Sequence, residues 1–261
     1  MLKTRALSAL ALAPPALLAA WYGGYPFALL VAIAAALMCW EWHRIACGGF
    51  GYAARAAAIL CFAASVLTVS APQTALYTAG GAVLVSVLLV CPVPGRRAWS
   101  GLGALYIGLP SLALVWLRGD PDFGSATVWW LLLAVWATDI GAYASGRLIG
   151  GPLLMPRVSP KKTWAGLLGG MLCAALVGLG VAWVGAFSLV WVAIASAGLA
   201  VVAQAGDLLE SWVKRRWGVK DSSNIIPGHG GVLDRVDGLL SAAIVVAALT
   251  LATGRAVLTW Q

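Results

Sequence analysis

Five of the nine acidic residues in the chain fall in one stretch, at Asp207, Glu210, Asp221, Asp234 and Asp237, with Lys214, Arg215, Arg216, Lys220, His229 and Arg235 set among them. Carboxylates alternating with cations can hold a divalent metal ion and a phosphorylated substrate together. Asp207, Glu210, Ser211 and Lys214 are spaced i, i+3, i+4 and i+7, so on a helix they share one face. That face continues an apolar run and places Asp207 at or just inside a membrane boundary, where an acid is costly and marks function. Pro227-Gly228-His229-Gly230-Gly231 forms a compact turn whose glycines permit positive φ and can aim successive N–H groups at phosphate oxygens. Asp234 and Asp237 follow, three apart, at the start of the last apolar run. Oxygen ligands of this kind suit Mg²⁺, which takes one or two carboxylates and completes its shell with substrate phosphates; Asp207 and Asp234 are the candidate metal ligands. The plainer reading makes Asp234 a helix N-cap and Asp237 a favourable charge at the positive helix end.

A second polar connection reads Arg157-Val158-Ser159-Pro160-Lys161-Lys162-Thr163-Trp164. Ser followed by Pro predicts a helix start, which puts Lys161 and Lys162 in a first turn. Lysines there oppose the helix dipole, and an anion bound at the unpaired N–H groups would offset the repulsion; the alternative is a basic anchor on the cytoplasmic side. Trp136, Asp139, Tyr143 and Gly146 share a face inside another apolar run. Asp139 is expected to face a bundle interior or polar cavity, either in a structural hydrogen bond or in catalysis. Glu41, at a run end, is a weaker candidate, and His43 reads as interfacial.

The elements that must position these residues are membrane helices. The 261-residue chain is 62% hydrophobic and 10% charged, against about 25% charged for a soluble domain. Nine spans are predicted, near 6–20, 26–40, 56–71, 75–91, 101–117, 126–146, 164–184, 188–206 and 238–254. The fold class is therefore all-α: a polytopic integral membrane helix bundle of about nine transmembrane helices, one membrane domain over 1–261, with the catalytic site in the part from about 130 to 254. With the N-terminus in the cytoplasm and alternating crossings, all of the 17 Lys and Arg except Arg118 and Arg255 fall on the cytoplasmic side. This fixes the orientation by the positive-inside rule, with the C-terminus outside. The net charge of +8 thus reads as an excess facing anionic lipid, with a subset for phosphates. No nucleic-acid module is present. Lys3 and Arg5 before Leu7–Ala20 look like a signal peptide without a clear cleavage site, so a retained first helix is expected. Cys39, Cys47, Cys61, Cys91 and Cys173 have no ligand spacing and read as small core or lipid-facing residues. Trp21, Tyr22, Tyr25, Trp99, Trp129, Trp130 and Trp260 near span ends read as interfacial.

The stretch Ser211-Trp-Val-Lys214-Arg215, then Lys220-Asp221, then Pro227-Gly-His229-Gly230-Gly231, then Asp234-Arg235-Val-Asp237 closely resembles the signature of the phosphatidate cytidylyltransferases (CDP-diacylglycerol synthases), S-x-x-K-R, K-D, P-x-H-G-G-x-x-D-R-x-D. The Ser159-Pro-Lys-Lys-Thr-Trp stretch and the Trp136/Asp139/Tyr143 face are also similar to that family. Where the family usually continues with Glu or Gln, Ala165 stands here, and it is not placed in the site. The resemblance implies transfer of CMP from CTP to phosphatidic acid, giving CDP-diacylglycerol and pyrophosphate. It also implies Mg²⁺, a potassium ion near it, a bacterial-type inner membrane with the site facing the cytoplasm, and a homodimer. The catalytic set that goes with it is Asp207, Ser211, Lys214, Arg215, Lys220, His229, Asp234, Arg235 and Asp237. Ser159, Lys161, Lys162, Thr163, Asp139, Tyr143, Asp221, Gly230 and Gly231 form the substrate-binding set. Lys161 and Lys162 serve either the CTP tail or the lipid head group.

Two other readings compete. A phosphosugar or CDP-alcohol transferase would carry D-D-x-x-D or D-G-x-x-A-R, and neither occurs. An ion-coupled transporter with Asp139 and Asp207 as ion ligands is weakened by the missing internal repeat and the one-sided charge.

Overall fold

The computed structural model describes residues 2–89, 93 and 95–261, with side chains from residue 8 on, residue 9 excepted. Cys91 lies outside the described residues, as do the side chains of Lys3 and Arg5. Among the described residues the chain forms nine α-helices: α1 (Leu2–Tyr22), α2 (Gly24–Ala46), α3 (Tyr52–Leu67), α4 (Pro72–Leu88), α5 (Arg97–Arg118), α6 (Gly124–Leu148), α7 (Trp164–Gly185), α8 (Leu189–Arg216) and α9 (Leu233–Thr253). Each coincides with a predicted apolar run. Six of them, α2 and α5 to α9, are long and apolar enough to cross a membrane, so the protein is an integral membrane protein. Among the described residues the expected count of nine crossings is not confirmed. Helices α3 and α4 have 16 and 17 residues, which at ~1.5 Å per residue is short of a hydrocarbon core of about 30 Å. Helix α1 carries Pro14 and Pro15 inside it.

The chain divides into two compact units. The first comprises the chain up to Asp120 together with Arg216–Val236. Its core is built on small residues: Ala28, Ala32, Ala35, Ala57, Ala64, Ala75 and Ala82 are fully buried. Small side chains let membrane helices approach closely where lipid offers no hydrophobic drive. The hydroxyls of Ser65, Thr68, Ser86 and Ser111 donate to the carbonyls four residues back, which satisfies them within their own helix. His43 is buried rather than interfacial; Nδ1 pairs with the Cys39 carbonyl at 2.7 Å and Nε2 with Ser100 Oγ at 2.8 Å. The N-terminal end of α5 is clamped by aromatics, with the Arg96 guanidinium 3.9 Å over the Trp217 ring and Trp217 edge-on to Trp99. Cys39, Cys47 and Cys61 are buried thiols, as small core residues should be. Trp21, Tyr22 and Tyr25 are exposed on the chain surface, where an interfacial ring belongs.

The second unit comprises Pro121–Arg215 and Asp237–Gln261. Here α6 and α7 pack through glycine. A Cβ on Gly141 would lie 2.6 Å from Cys173 Sγ and 2.7 Å from the Gly169 carbonyl oxygen. Gly166 and Gly170 leave only 3.1 Å to Ala142 O and 3.0 Å to Thr138 O. Trp130, expected at an interface, is fully buried and its indole N–H donates to Ser196 Oγ at 2.8 Å. One face of α7 shows Leu168, Leu172, Leu176 and Trp183 on the surface, the composition of a lipid-facing stripe. Between α6 and α7 lies a two-stranded antiparallel hairpin, β1 (Leu153–Met155) with β2 (Ser159–Thr163).

That hairpin corrects one expectation. Ser159 does not cap a helix and Lys161 and Lys162 do not sit in a first turn; all three lie in β2. Pro160 disfavours helical backbone at the residue before it. The cap is Thr163, whose Oγ1 accepts the Gly166 N–H at 3.0 Å, so α7 begins at Trp164.

The α6–α7 glycine contact is testable by unfolding in detergent. Gly141→Val overpacks that contact and is expected to cost about 1–3 kcal/mol. Gly180→Val, with nothing within 4 Å of its Cβ, should stay within about 0.5 kcal/mol of the parent. Equal thermal midpoints for the two variants would contradict this packing.

Candidate active site

The C-terminal part of α8 carries the predicted polar face. Ser211 Oγ donates to Asp207 Oδ1 at 3.2 Å, one turn apart. Lys214 and Glu210 pair at 2.7 Å, both almost fully buried. A buried charge is tolerated only when paired and hydrogen-bonded, so Glu210 is what allows Lys214 to sit there. The sequence reading gave Glu210 no role beyond the shared face; it is the counter-ion of Lys214. Arg215 projects at the exposed side of the same turn.

Asp207 has a second partner. Lys162, from β2, forms an ion pair with Asp207 Oδ2 at 2.6 Å. The hairpin, not a helix dipole, therefore brings the lysine to the acid. Extended residues alternate in direction along a strand, which separates Lys161 from its neighbour; Lys161 is exposed. Asp237 on α9 lies half-buried, in electrostatic reach of Asp207, Lys214 and Asp139. Gly206 permits that approach: a Cβ there would meet Ser241, with the Asp237 carbonyl oxygen 2.9 Å away. Asp139 is exposed along with Trp136 and Tyr143 on α6. Of the two expected surroundings, the buried bundle interior is not where Asp139 lies; it is exposed, in electrostatic reach of Asp237, and Tyr143 Oη accepts from Arg147 at 3.1 Å.

The segment from Lys220 to Leu233 belongs to the first unit and is the most heavily hydrogen-bonded part of the pattern. The Pro227–Gly231 turn closes on itself, with Ile226 N–H donating to Gly230 O and His229 N–H to Ile226 O, both at 2.9 Å. Gly228 and Gly230 adopt φ of 78° and 88°, conformations that L side chains rarely take. Asp234 Oδ2 accepts three bonds, from Ser222 N–H, Ser222 Oγ and Gly231 N–H, each at 2.8 Å. The N–H groups of His229 and Gly231 are thus spent within the chain, and the expected cradle of N–H groups for phosphate does not include them. Nδ1 of His229 is buried and meets no hydrogen-bond partner among the described residues. Lys220, Asp221 and Arg235 are exposed beside this segment.

Sequence reasoning undervalued Glu41 and passed over Ser222 and Ser223. Glu41 is fully buried on α2. Its Oε1 accepts from Ser223 Oγ at 2.6 Å and Val232 N–H at 2.9 Å, and Oε2 from Leu233 N–H at 2.8 Å. The available signal was an acid in an apolar helix, which must find donors; the partners lie too far along the chain for spacing to reveal.

The donor set suits a hard cation. The acids of the pattern offer carboxylate oxygen only, and among the described residues no three His, Cys, Asp or Glu side chains converge to cage a metal by themselves. Carboxylate oxygens are the donor type that Mg²⁺ takes, alongside water and phosphate.

A model of the cytidylyltransferase family matches residues 3–252. A phosphatidate cytidylyltransferase of Brucella suis biovar 1 (strain 1330) is 41% identical over 244 residues, 93% of this chain and 90% of that protein. The phosphatidate cytidylyltransferase of Pseudomonas aeruginosa is 38% identical, covering 97% of this chain and 98% of its own. That of Haemophilus influenzae is 40% identical over 151 residues, about half of each chain. On a match over nearly its whole length, the chain belongs to the cytidylyltransferase family and is a nucleotidyltransferase enzyme.

Proposed function

We propose that the protein transfers the CMP moiety of CTP to phosphatidic acid, releasing pyrophosphate and forming CDP-diacylglycerol for phospholipid biosynthesis. The observation that carries the reading is Asp234. It ends the Lys220–Asp234 segment of the signature, and three donors from that segment hold one of its carboxylate oxygens, fixing the direction of the other.

Asp207 and Asp234 would hold Mg²⁺, on the strength of their place in the signature and their oxygen chemistry. When bound, the ion would neutralise charge on the triphosphate. The phosphatidate phosphate is already anionic, so attack on the α-phosphorus needs no strong general base, and the residues act mainly by positioning and by countering charge. The exposed Lys220, Arg215 and Arg235 would meet phosphate oxygens. Lys214, held by Glu210, contributes a fixed positive charge. His229, whose buried Nδ1 has no hydrogen-bond partner among the described residues, would orient a phosphate group. Ser211 orients Asp207. Lys162, through Asp207, and the exposed Lys161 would serve the CTP tail or the lipid head group. Asp237 and Asp221 would tune the local charge. The charge asymmetry of the sequence supports a cytoplasmic site and N-terminus in a bacterial-type inner membrane. A potassium ion beside the magnesium and a homodimer belong to the same proposal.

Purified protein in liposomes with α-labelled CTP, phosphatidic acid and Mg²⁺ is expected to yield lipid-linked label, and chelation should stop it until Mg²⁺ is restored. No lipid-linked label would overturn the reading. Asp234→Asn should lower turnover by about a hundredfold or more with helical circular dichroism unchanged; a parental rate would remove Asp234 from the site.

A further inference from the structure

We infer that Glu41 is a positioning residue for the reaction: a buried carboxylate on α2 that locks the segment ending in Asp234 into its working shape. The inference rests on the reading of Asp234 given above.

Glu41 is 0% exposed and lies in a helix of apolar residues. A carboxylate in such a place survives only if donors surround it. Its donors all come from one distant segment: Ser223 Oγ, and the N–H groups of Val232 and Leu233. The two N–H groups are at the start of α9, where the first turn has donors with no partner in the helix and the dipole favours a negative charge. Glu41 thus does the work of an N-cap from another helix. Ser223 Oγ also accepts the Ile225 N–H at 3.2 Å, which extends the grip into the loop.

Two carboxylates hold neighbouring residues from opposite directions. Asp234 takes Ser222 and Gly231; Glu41 takes Ser223, Val232 and Leu233. Gly231 passes between them with no room for a side chain: a Cβ there would run into Ser222 Oγ and the Glu41 carboxylate. Both ends of the loop are therefore tied, and the residues between them, His229 included, are constrained. Asp234 is the next residue after Leu233, so a slip at Glu41 moves the acid directly. Misplacement of a reacting group by about 1 Å costs on the order of a hundredfold in rate, and that is the size of effect available to a residue that touches no substrate.

The test compares the parent, Glu41→Gln, Ser223→Ala, the double variant and Asp234→Asn as purified full chains in liposomes, with kcat, KM for CTP, half-saturating Mg²⁺ and thermal midpoint measured on each. Gln keeps the shape but offers one acceptor oxygen where Glu41 uses two. Glu41→Gln is expected to lower kcat per folded molecule about 10- to 100-fold and to raise half-saturating Mg²⁺ at least about threefold, since the loosened acid binds the ion less well. Ser223→Ala should move both quantities the same way by less. The double variant should be no worse than Glu41→Gln within about twofold, because both act through one segment. A purely structural role would reduce the folded fraction and leave kcat per folded molecule and the Mg²⁺ requirement at parental values; that result overturns the inference. If Glu41→Gln does not fold, Ser223→Ala decides, since it leaves the carboxylate with both backbone donors: a raised Mg²⁺ requirement supports the inference and parental constants overturn it. Parental activity in Asp234→Asn, or no turnover by the parent, defeats the functional reading and this inference with it. An inactive Asp234→Asn beside an unaffected Glu41→Gln defeats this inference alone.

Discussion

A carboxylate buried among apolar helices is too costly to stand without donors, and at Glu41 the chain meets that requirement with the segment to which the proposed function assigns the chemistry. The hydrogen bonds from Ser223, Val232 and Leu233 to Glu41 fix where α9 begins. The bonds from Ser222 and Gly231 to Asp234 fix the loop before it. The Glu41 set is not local and could not form in an isolated loop, which would lose far more conformational entropy than the few bonds internal to it return. The apolar bundle supplies the low-dielectric surroundings in which these bonds are strong, and the bonds in turn hold a polar segment against that bundle.

The same economy of charge appears in the second unit. Lys214 and Glu210 neutralise each other one turn apart, and Lys162 meets Asp207 from the hairpin. Among the described residues of this unit the buried Lys214 and half-buried Lys162 each have an acid, while Lys161 and Arg215 are exposed, as are Lys220 and Arg235 of the first unit. Under the proposed function the first group would shape the local field and the second would take up anionic substrate. A reaction between two phosphorylated molecules needs both, because repulsion between the reactants must be countered without filling the site with mobile charge.

The nine helices were legible because apolar runs bounded by Gly, Pro and charge leave little choice of structure in lipid. The polar face of α8 was legible for the same reason: once the helix is known, Asp207 and Ser211 must be one turn apart. What escaped was set by partners distant in sequence. Glu41 looked like an end-of-span acid, and only the fold shows that Val232 and Leu233 answer it. Lys162 read as a helix-start lysine because Ser159-Pro160 imitates a cap, whereas Thr163 is the residue whose hydroxyl finds the free N–H. Trp130 and His43 looked interfacial from their position near span ends and are buried because Ser196 and Ser100 satisfy their polar atoms. Six crossings among the described residues meet the length of a span, and nine are not confirmed because apolar composition does not guarantee length, as α3 and α4 illustrate.

On these bonds the segment from Ser222 to Leu233 is held in a single shape before any substrate arrives. Hydrogen–deuterium exchange on the substrate-free protein in liposomes tests it directly. The amides of Ser222, Gly231, Val232 and Leu233 should exchange at least about a hundredfold more slowly than unprotected amides, as hydrogen-bonded groups in a stable local structure do. Exchange of those four at the unprotected rate would mean that the two carboxylates do not hold the loop.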